Sequence, residues 1–183
     1  MRKIPIIIFI ACICFFSISS LAYSEVYNLL KIDGLQGESV ISDHEDEIDI
    51  LAWSWELSQS GSLHVGGGGG AGKAIVGDLT VTKYVDKSST HLILALLNGT
   101  HFKEATLVVR KAGESPVDYL KITMSPVLVT NVSTGGTGGE DRLTESVTLN
   151  FAKVCYAYTP QKADGSADAE IRRCWNIEAN IEE

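Results

Sequence analysis

Basic charge is scarce in this chain: 15 lysines and arginines stand against 23 aspartates and glutamates across 183 residues. A nucleic acid or an anionic membrane surface is gripped through a basic patch, and none is visible, so both are excluded as partners. Acidic residues are missing only at the start, where none precedes Glu25. There Arg2 and Lys3 lead into an apolar run from Ile4 to Phe16. Small residues follow, with Ala22 and Ser24, or Ser20 and Ala22, at the positions a signal peptidase reads. The run falls short of the ~20 apolar residues that span a bilayer, which favours a cleaved export signal over residues 1–24 rather than a retained anchor. A nucleophile motif is also missing. No G-x-S-x-G elbow accompanies His44, His64, His91 and His101, which are scattered, so no catalytic residue is expected.

Without residues 1–24 the chain keeps 159 residues, one domain's worth, and 13 basic residues against 23 acidic ones, a net charge of −10. Of its four cysteines, Cys12 and Cys14 fall in the signal. Cys155 and Cys174 remain, an even pair in an exported chain, which invites a disulfide. Each is nine positions from the Asp164-Gly165 pair, a hairpin turn signal, so the two lie opposite one another if the flanking strands pair. Strict alternation, however, sets Cys155 with Leu149 and Phe151 but Cys174 with Arg172 and Asn176. The bond therefore needs a bulge or another register, and two free thiols are the alternative.

The segment from Glu47 to Ser58 alternates strictly and then runs into a glycine tract. Leu51, Trp53, Trp55 and Leu57 share one face, while Ala52, Ser54, Glu56 and Ser58 share the other. One face suits a core and the other water or something small and polar. Glycine at 66 to 70 and again at 72 loses much backbone entropy on ordering, so that loop is either left mobile or fixed by a partner. Further strands are expected over Val26–Ile32, Ala74–Tyr84, Phe102–Lys111, Asp118–Met124, Val127–Val132, Ser146–Tyr158 and Glu170–Ile177. The one helix spans Ser88 to Asn98, with serines to cap its first amides and Gly99 to close it. It is apolar nearly all round, which suits a helix that plugs a barrel or lies under an interface. The expected fold is mainly β, a closed or nearly closed antiparallel barrel with one α-helix.

Two motifs invite chemistry and carry little of it. Gly67 to Ala74 satisfies G-x-x-x-x-G-K, but Ala74 has no hydroxyl to hold magnesium and a strand pattern follows where a phosphate loop opens a helix. His44, Glu45, Asp46 and Glu47 point in successive directions with no second ligand cluster at spacing, so they read as a solvated acidic turn and no metal or other cofactor is expected. The sequons Asn98 to Thr100 and Asn131 to Ser133 matter only in a eukaryotic secretory route.

Taken in order, eight blocks closely resemble the Hcp family, the haemolysin-coregulated tube subunits of bacterial type VI secretion. They are EIDILAWSWELSQSGSLHVGGGGGAGK from Glu47, TKYVDKSS from Thr82, VRKAG from Val109, DYLKI from Asp118, STGGTGGEDRLTE from Ser133, LNFA from Leu149, PQKADGS from Pro160 and WNIEAN from Trp175. The resemblance covers nearly all of residues 25 to 183. It implies a barrel with one helix that closes into a six-membered ring. Rings stack into a tube, a contractile sheath surrounds it, a VgrG-like spike caps it, and small effector proteins ride in the lumen.

Joined to the strand pattern, this implies lumen-facing positions at Ala52, Ser54 and Glu56 and a ring-stacking loop at Gly66, Gly67, Gly68, Gly69, Gly70 and Gly72. The export signal and the cysteine pair depart from the family pattern, since its tube subunits assemble in the cytoplasm and neither cysteine lies in a matching block. An exported subunit could keep a strand-to-strand bond that a cytoplasmic one could not. The alternative function is a secreted binding module or effector that kept the barrel and lost tube assembly.

Overall fold

A computed structural model of the protein describes residues 25–61, 72–113, 115–139 and 141–183. The expected signal at 1–24 and the expected stacking glycines Gly66 to Gly70 lie outside the described residues. In chain order the elements are β1 (Val26–Ile32), β2 (Ile48–Ser54), β3 (Leu57–Ser58), β4 (Ile75–Val76), β5 (Leu79–Tyr84) and α1 (Ser89–Asn98). There follow β6 (His101–Phe102), β7 (Ala105–Lys111), β8 (Val117–Gly135), β9 (Thr144–Tyr158), β10 (Ile171–Asn176) and β11 (Ile181–Glu182).

Six strands close a barrel in the order β9-β5-β2-β1-β7-β8, with β8 returning to pair β9. Every pairing around it is antiparallel. Closure gives every wall strand a neighbour on each side over part of its length, which removes the free edge of an open sheet. Alternating residues fill the inside: Leu30 and Ile32 of β1, Ile48 and Ile50 of β2, Leu79 and Val81 of β5, Leu107 of β7, Val147 and Leu149 of β9. Each such side chain contributes about 1.5–3 kcal/mol on burial. Strands β10 and β11 extend the sheet beyond the ring, β3 and β4 form a separate ribbon at the root of the glycine tract, and the short β6 pairs with β8.

Three departures from strict alternation shape this wall. The register of β2 against β5 shifts between Ile50 and Ala52, so Ile48 and Ile50 point inward, Leu51 turns outward, and Trp53 and then Trp55 take the inward side. This corrects the expectation of Leu51 and Leu57 on the core face; both are exposed, because the bulge adds a residue and Leu57 belongs to the ribbon. The expected strands around Pro126 are one continuous β8, with Pro126 exposed between the stretch that pairs β7 and the stretch that pairs β6. A residue without an N–H fits where neither pairing needs its donor. Across that point β8 and β9 change together which parity meets the core: Met124 and Val127, like Phe151 and Val154, are both buried although three positions apart.

The helix lays Leu92 and Ala95 into the core, while Leu94 and Leu97 remain exposed, Leu97 at 77%. Gly99 closes it at φ 68° and the Thr100 N–H donates to the Ala95 carbonyl at 3.0 Å. The start differs from the serine caps expected. Ser88 makes no side-chain cap; the Asp86 carboxylate instead accepts from the Ser88 N–H at 2.8 Å and the Ser88 hydroxyl at 2.6 Å. Asp86 is held in turn by Lys83, whose side chain is fully buried. The Lys83 Nζ donates to Asp86 Oδ1, Glu145 Oε1 and the Tyr84 carbonyl, each at 2.8 Å, and lies 3.2 Å from Ser89 Oγ. Ser89 Oγ also donates to Glu145 Oε1 at 2.7 Å, so one ammonium ties β5, β9 and the helix start.

The buried Lys83 ammonium is balanced by two carboxylates, and loss of Glu145 leaves it only Asp86. Glu145→Ala is therefore expected to cost about 3 kcal/mol in urea unfolding, and Lys83→Met with Glu145→Leu and Asp86→Asn together to cost clearly less; equal losses would show that charge pairing is not what holds this corner.

Candidate functional site

The bulge at Leu51 decides what the outer face of the wall presents. After it, Ala52 pairs Thr82 and Ser54 pairs Thr80. The register continues from Thr82 to Ser146 and from Thr80 to Thr148 on β9, then to Ser133 and Asn131 on β8. Two rows result across four strands: Ala52, Thr82, Ser146, Ser133 and Ser54, Thr80, Thr148, Asn131. All eight are exposed or half-exposed and none is charged. Thr80 and Thr148 share a hydroxyl hydrogen bond at 3.1 Å. Just beyond, Asp78 accepts from Thr130 Oγ1 at 2.9 Å and Asn150 Nδ2 at 2.6 Å, which fixes that end of the face.

The opposite parity is dry. Trp53 and Trp55 are half-buried and pack on the core, with indole N–H groups donated to Asn28 Oδ1 at 3.2 Å and the Gly77 carbonyl at 2.9 Å. Trp55 also meets Phe151, ring centres 6.0 Å apart. Of the three positions expected to face a lumen, Ala52 and Ser54 lie in the rows; Glu56 is exposed past the end of β2, where its carbonyl accepts the Gly77 N–H at 2.9 Å. Thr80, Thr82, Ser146, Thr148, Asn131 and Ser133 were not singled out from sequence. The signal was there, since Thr80 and Thr82 alternate with Leu79 and Val81, but register across strands is not written in any one strand.

Of the expected stacking loop only Gly72 is described. Its N–H donates to the Ser60 carbonyl at 3.2 Å and its carbonyl accepts from Gln59 Nε2 at 2.7 Å. The strand β4, not a helix, follows Lys73 and Ala74, which removes the anion-binding geometry that a phosphate loop needs. Cys155 and Cys174 stand directly opposite each other in the β9–β10 register, Cα atoms 4.0 Å apart, and are joined as a disulfide. No bulge separates them. The parity change between Phe151 and Val154 turns Cys155 away from the core, which strict alternation from Leu149 does not anticipate.

The acidic turn is a correction. His44 is buried, with Nδ1 2.9 Å from Glu47 Oε2 and Nε2 3.2 Å from Asp118 Oδ1. Arg110 joins Asp118 at 3.1 Å and Asp43 at 3.2 Å, so His44 and Glu47 staple the loop before β2 to β7 and β8, while Glu45 and Asp46 stay exposed as the sequence led one to expect. Gly37 belongs to the same loop: a Cβ there would lie 2.1 Å from the Glu47 carbonyl oxygen. Among the described residues no group of His, Cys, Asp and Glu is arranged to hold a metal.

The fold thus defines a small closed antiparallel barrel with one flanking helix and an uncharged hydroxyl face. Residues 29–158 match the family described as type VI secretion system effector, Hcp. The chain is 57% identical over 155 residues to Protein hcp1 of Pseudomonas aeruginosa, covering 84% of this chain and 96% of that one. A solved type six secretion system protein superposes with a TM-score of 0.82 at 26% identity, covering 87% of this chain and all of that one. Hcp1 of Salmonella typhimurium superposes with a TM-score of 0.71 at 34% identity, covering 86% and 99%. The chain belongs to the Hcp family, the structural, secreted tube subunits of type VI secretion. Membership over nearly the full length of these relatives favours the tube subunit over the stand-alone binding module. Among the described residues no helix is long and apolar enough to cross a membrane.

Burial raises the Asp118 carboxyl, but hydrogen bonds from His44 and Lys121 outweigh it and leave the group below the usual carboxylate range. A depressed folded pKa gives stability that is present above the unfolded value of about 4 and is lost as pH falls through the folded one. Acid unfolding of Asp118→Asn should therefore be less pH-dependent below about pH 4 than that of the parent. Identical slopes in urea titrations at each pH would remove Asp118 from the acid response.

Proposed function

We propose that residues 25–183 form a ring subunit, that six copies close into a ring, and that stacked rings make a tube whose lumen is lined by the hydroxyl rows around Ser54. Small effector proteins ride in that lumen, and the role is structural rather than enzymatic. The observation that carries the reading is the pair of uncharged rows across β2, β5, β9 and β8. Short hydroxyl and amide side chains give a passing protein many weak, interchangeable hydrogen bonds and no ion pair to hold it. Cargo must enter and leave, so weak contacts suit the task.

The glycines Gly66 to Gly70 and Gly72 serve as the ring-stacking loop, their ordering entropy offset by contacts with the next ring. A sheath and a VgrG-like spike complete the assembly where the tube is fired. Residues 1–24 direct export and are removed, placing the subunit in the periplasm or outside the cell, where the Cys155–Cys174 bond forms and persists.

Native mass spectrometry of the exported protein should give six times the mature chain mass, and a monomer at high concentration would overturn ring formation. In the same preparation Ser54→Trp should reduce co-purified cargo several-fold while leaving the ring mass unchanged. Undiminished cargo would take the hydroxyl rows out of the lumen.

A further inference from the structure

We propose that the Cys155–Cys174 disulfide is a redox latch on a detachable C-terminal ribbon, so that reduction frees β10 and β11 from the wall while the six-stranded barrel stays closed. The topology separates the two parts. The ring closes through β8 pairing with β9, and neither β10 nor β11 belongs to it. Along β9, Thr144–Leu149 is held by β5 on one side, whereas Lys153–Tyr158 has β10 there; β8 runs along the other side of both stretches. Loss of β10 therefore uncovers one edge of the outer half of β9 and breaks no pairing of the barrel.

The ribbon is otherwise lightly held. Ile171, Arg172 and Arg173 are exposed, β11 is exposed, and only Trp175 and the following Ile177 pack against the core. Among the described residues the remaining ties are the six-residue register itself, the Ile177 N–H on the Ala152 carbonyl at 2.8 Å and the Lys153–Glu183 ion pair at 2.6 Å, exposed at both ends. Against these the disulfide closes a loop of sequence separation 19, which removes much of the freedom the open ribbon would gain. Both cysteines are only half-buried, so a small dithiol reaches them.

Opening has a consequence for the surface. A groove of about 410 Å³ is lined by Trp55, Leu57 and Val76 from the β2 end and the β3–β4 ribbon, by Val154 of β9, and by Cys174 and Trp175 of the C-terminal ribbon. The latch holds its second wall in place. The exchange is balanced: one thiolate of a dithiol attacks a cystine sulfur and expels the other cysteine as thiolate, then its second thiol resolves the mixed disulfide. Two electrons and two protons pass to the protein and the reagent leaves as its own disulfide. Closure runs in reverse against a disulfide of the thiol–disulfide oxidoreductase class. A subunit that crosses from a reducing to an oxidising compartment is thereby latched after it folds.

The test is limited trypsinolysis of the purified protein with and without dithiothreitol, followed by mass spectrometry. Cleavage after Arg172 and Arg173 should speed up on the order of a hundredfold on reduction, because proteolysis follows the population of the open ribbon, while the strands β1, β2, β5, β7, β8 and β9 stay protected. The Cys155→Ser/Cys174→Ser variant should cut at the reduced rate whether or not dithiothreitol is present. An unchanged rate on reduction would overturn the latch. So would loss of protection throughout the barrel, since the bond would then be a staple for the whole fold.

Discussion

Pairing of β8 with β9, from Leu120 opposite Tyr158 to Gly135 opposite Thr144, is the contact on which the remaining structure depends. It is the seam that turns an open sheet into a wall with an inside and an outside. Once the seam is made, every residue of a wall strand belongs to one surface or the other, and a bulge becomes a means of choosing which. The shift after Ile50 in β2 is such a choice: it puts two indoles on the dry side and Ser54 on the wet side within three residues. The second shift, after Val129 in β8, keeps Asn131 and Ser133 in line with Thr148 and Ser146, so the rows remain continuous across the seam itself.

Much of this was legible beforehand. Alternation in Trp53 to Trp55 and Leu79 to Val81 sets strand type and parity, and a single apolar run ending at Gly99 sets the helix. Loss of legibility begins where two strands must agree. Leu51 shares parity with Trp53 in sequence, yet it is the extra residue of β2 at the bulge, facing no partner between Lys83 and Thr82 of β5, and it turns to water. The rows around Ser54 follow the same logic, because Thr148 is recognised as the neighbour of Thr80 only when the register of β5 on β9 is known. The helix start differs for another reason: Asp86, held by Lys83, takes the Ser88 amide, and Ser89 Oγ accepts the Asp86 N–H at 3.0 Å instead of a helix amide.

Two polar staples show how local pattern misleads about charge. Lys83 has the inward parity of Leu79 and Val81, so its burial follows from the strand, while its partner Glu145 lies 62 positions away. His44 sits among acidic neighbours that look like a solvated turn, and the residue that buries it, Asp118, is 74 positions on. In both places a polar side chain is tolerated inside because several hydrogen bonds converge on it, which is a property of tertiary structure alone. Neither staple touches the hydroxyl rows. They fix the ends of the strands that carry them, which leaves the rows themselves short, neutral and replaceable.

The disulfide and the rows draw on one strand in different halves. From Thr144 to Leu149, β9 pairs β5 and contributes Ser146 and Thr148 outward; from Lys153 to Tyr158 it pairs β10 and contributes Cys155. Without the parity change between Phe151 and Val154, Cys155 would share the inward side with Leu149 and Phe151, and its bond to the directly opposite Cys174 would face the core. The change runs in step on β8 around Pro126, the position where that strand leaves β7 and takes up β6. One proline placed where no donor is required thus coincides with the turn in the wall that puts the cysteine on the outer surface. An oxidising compartment can act on that bond without entering the core, and the barrel that carries the rows need not change when it does.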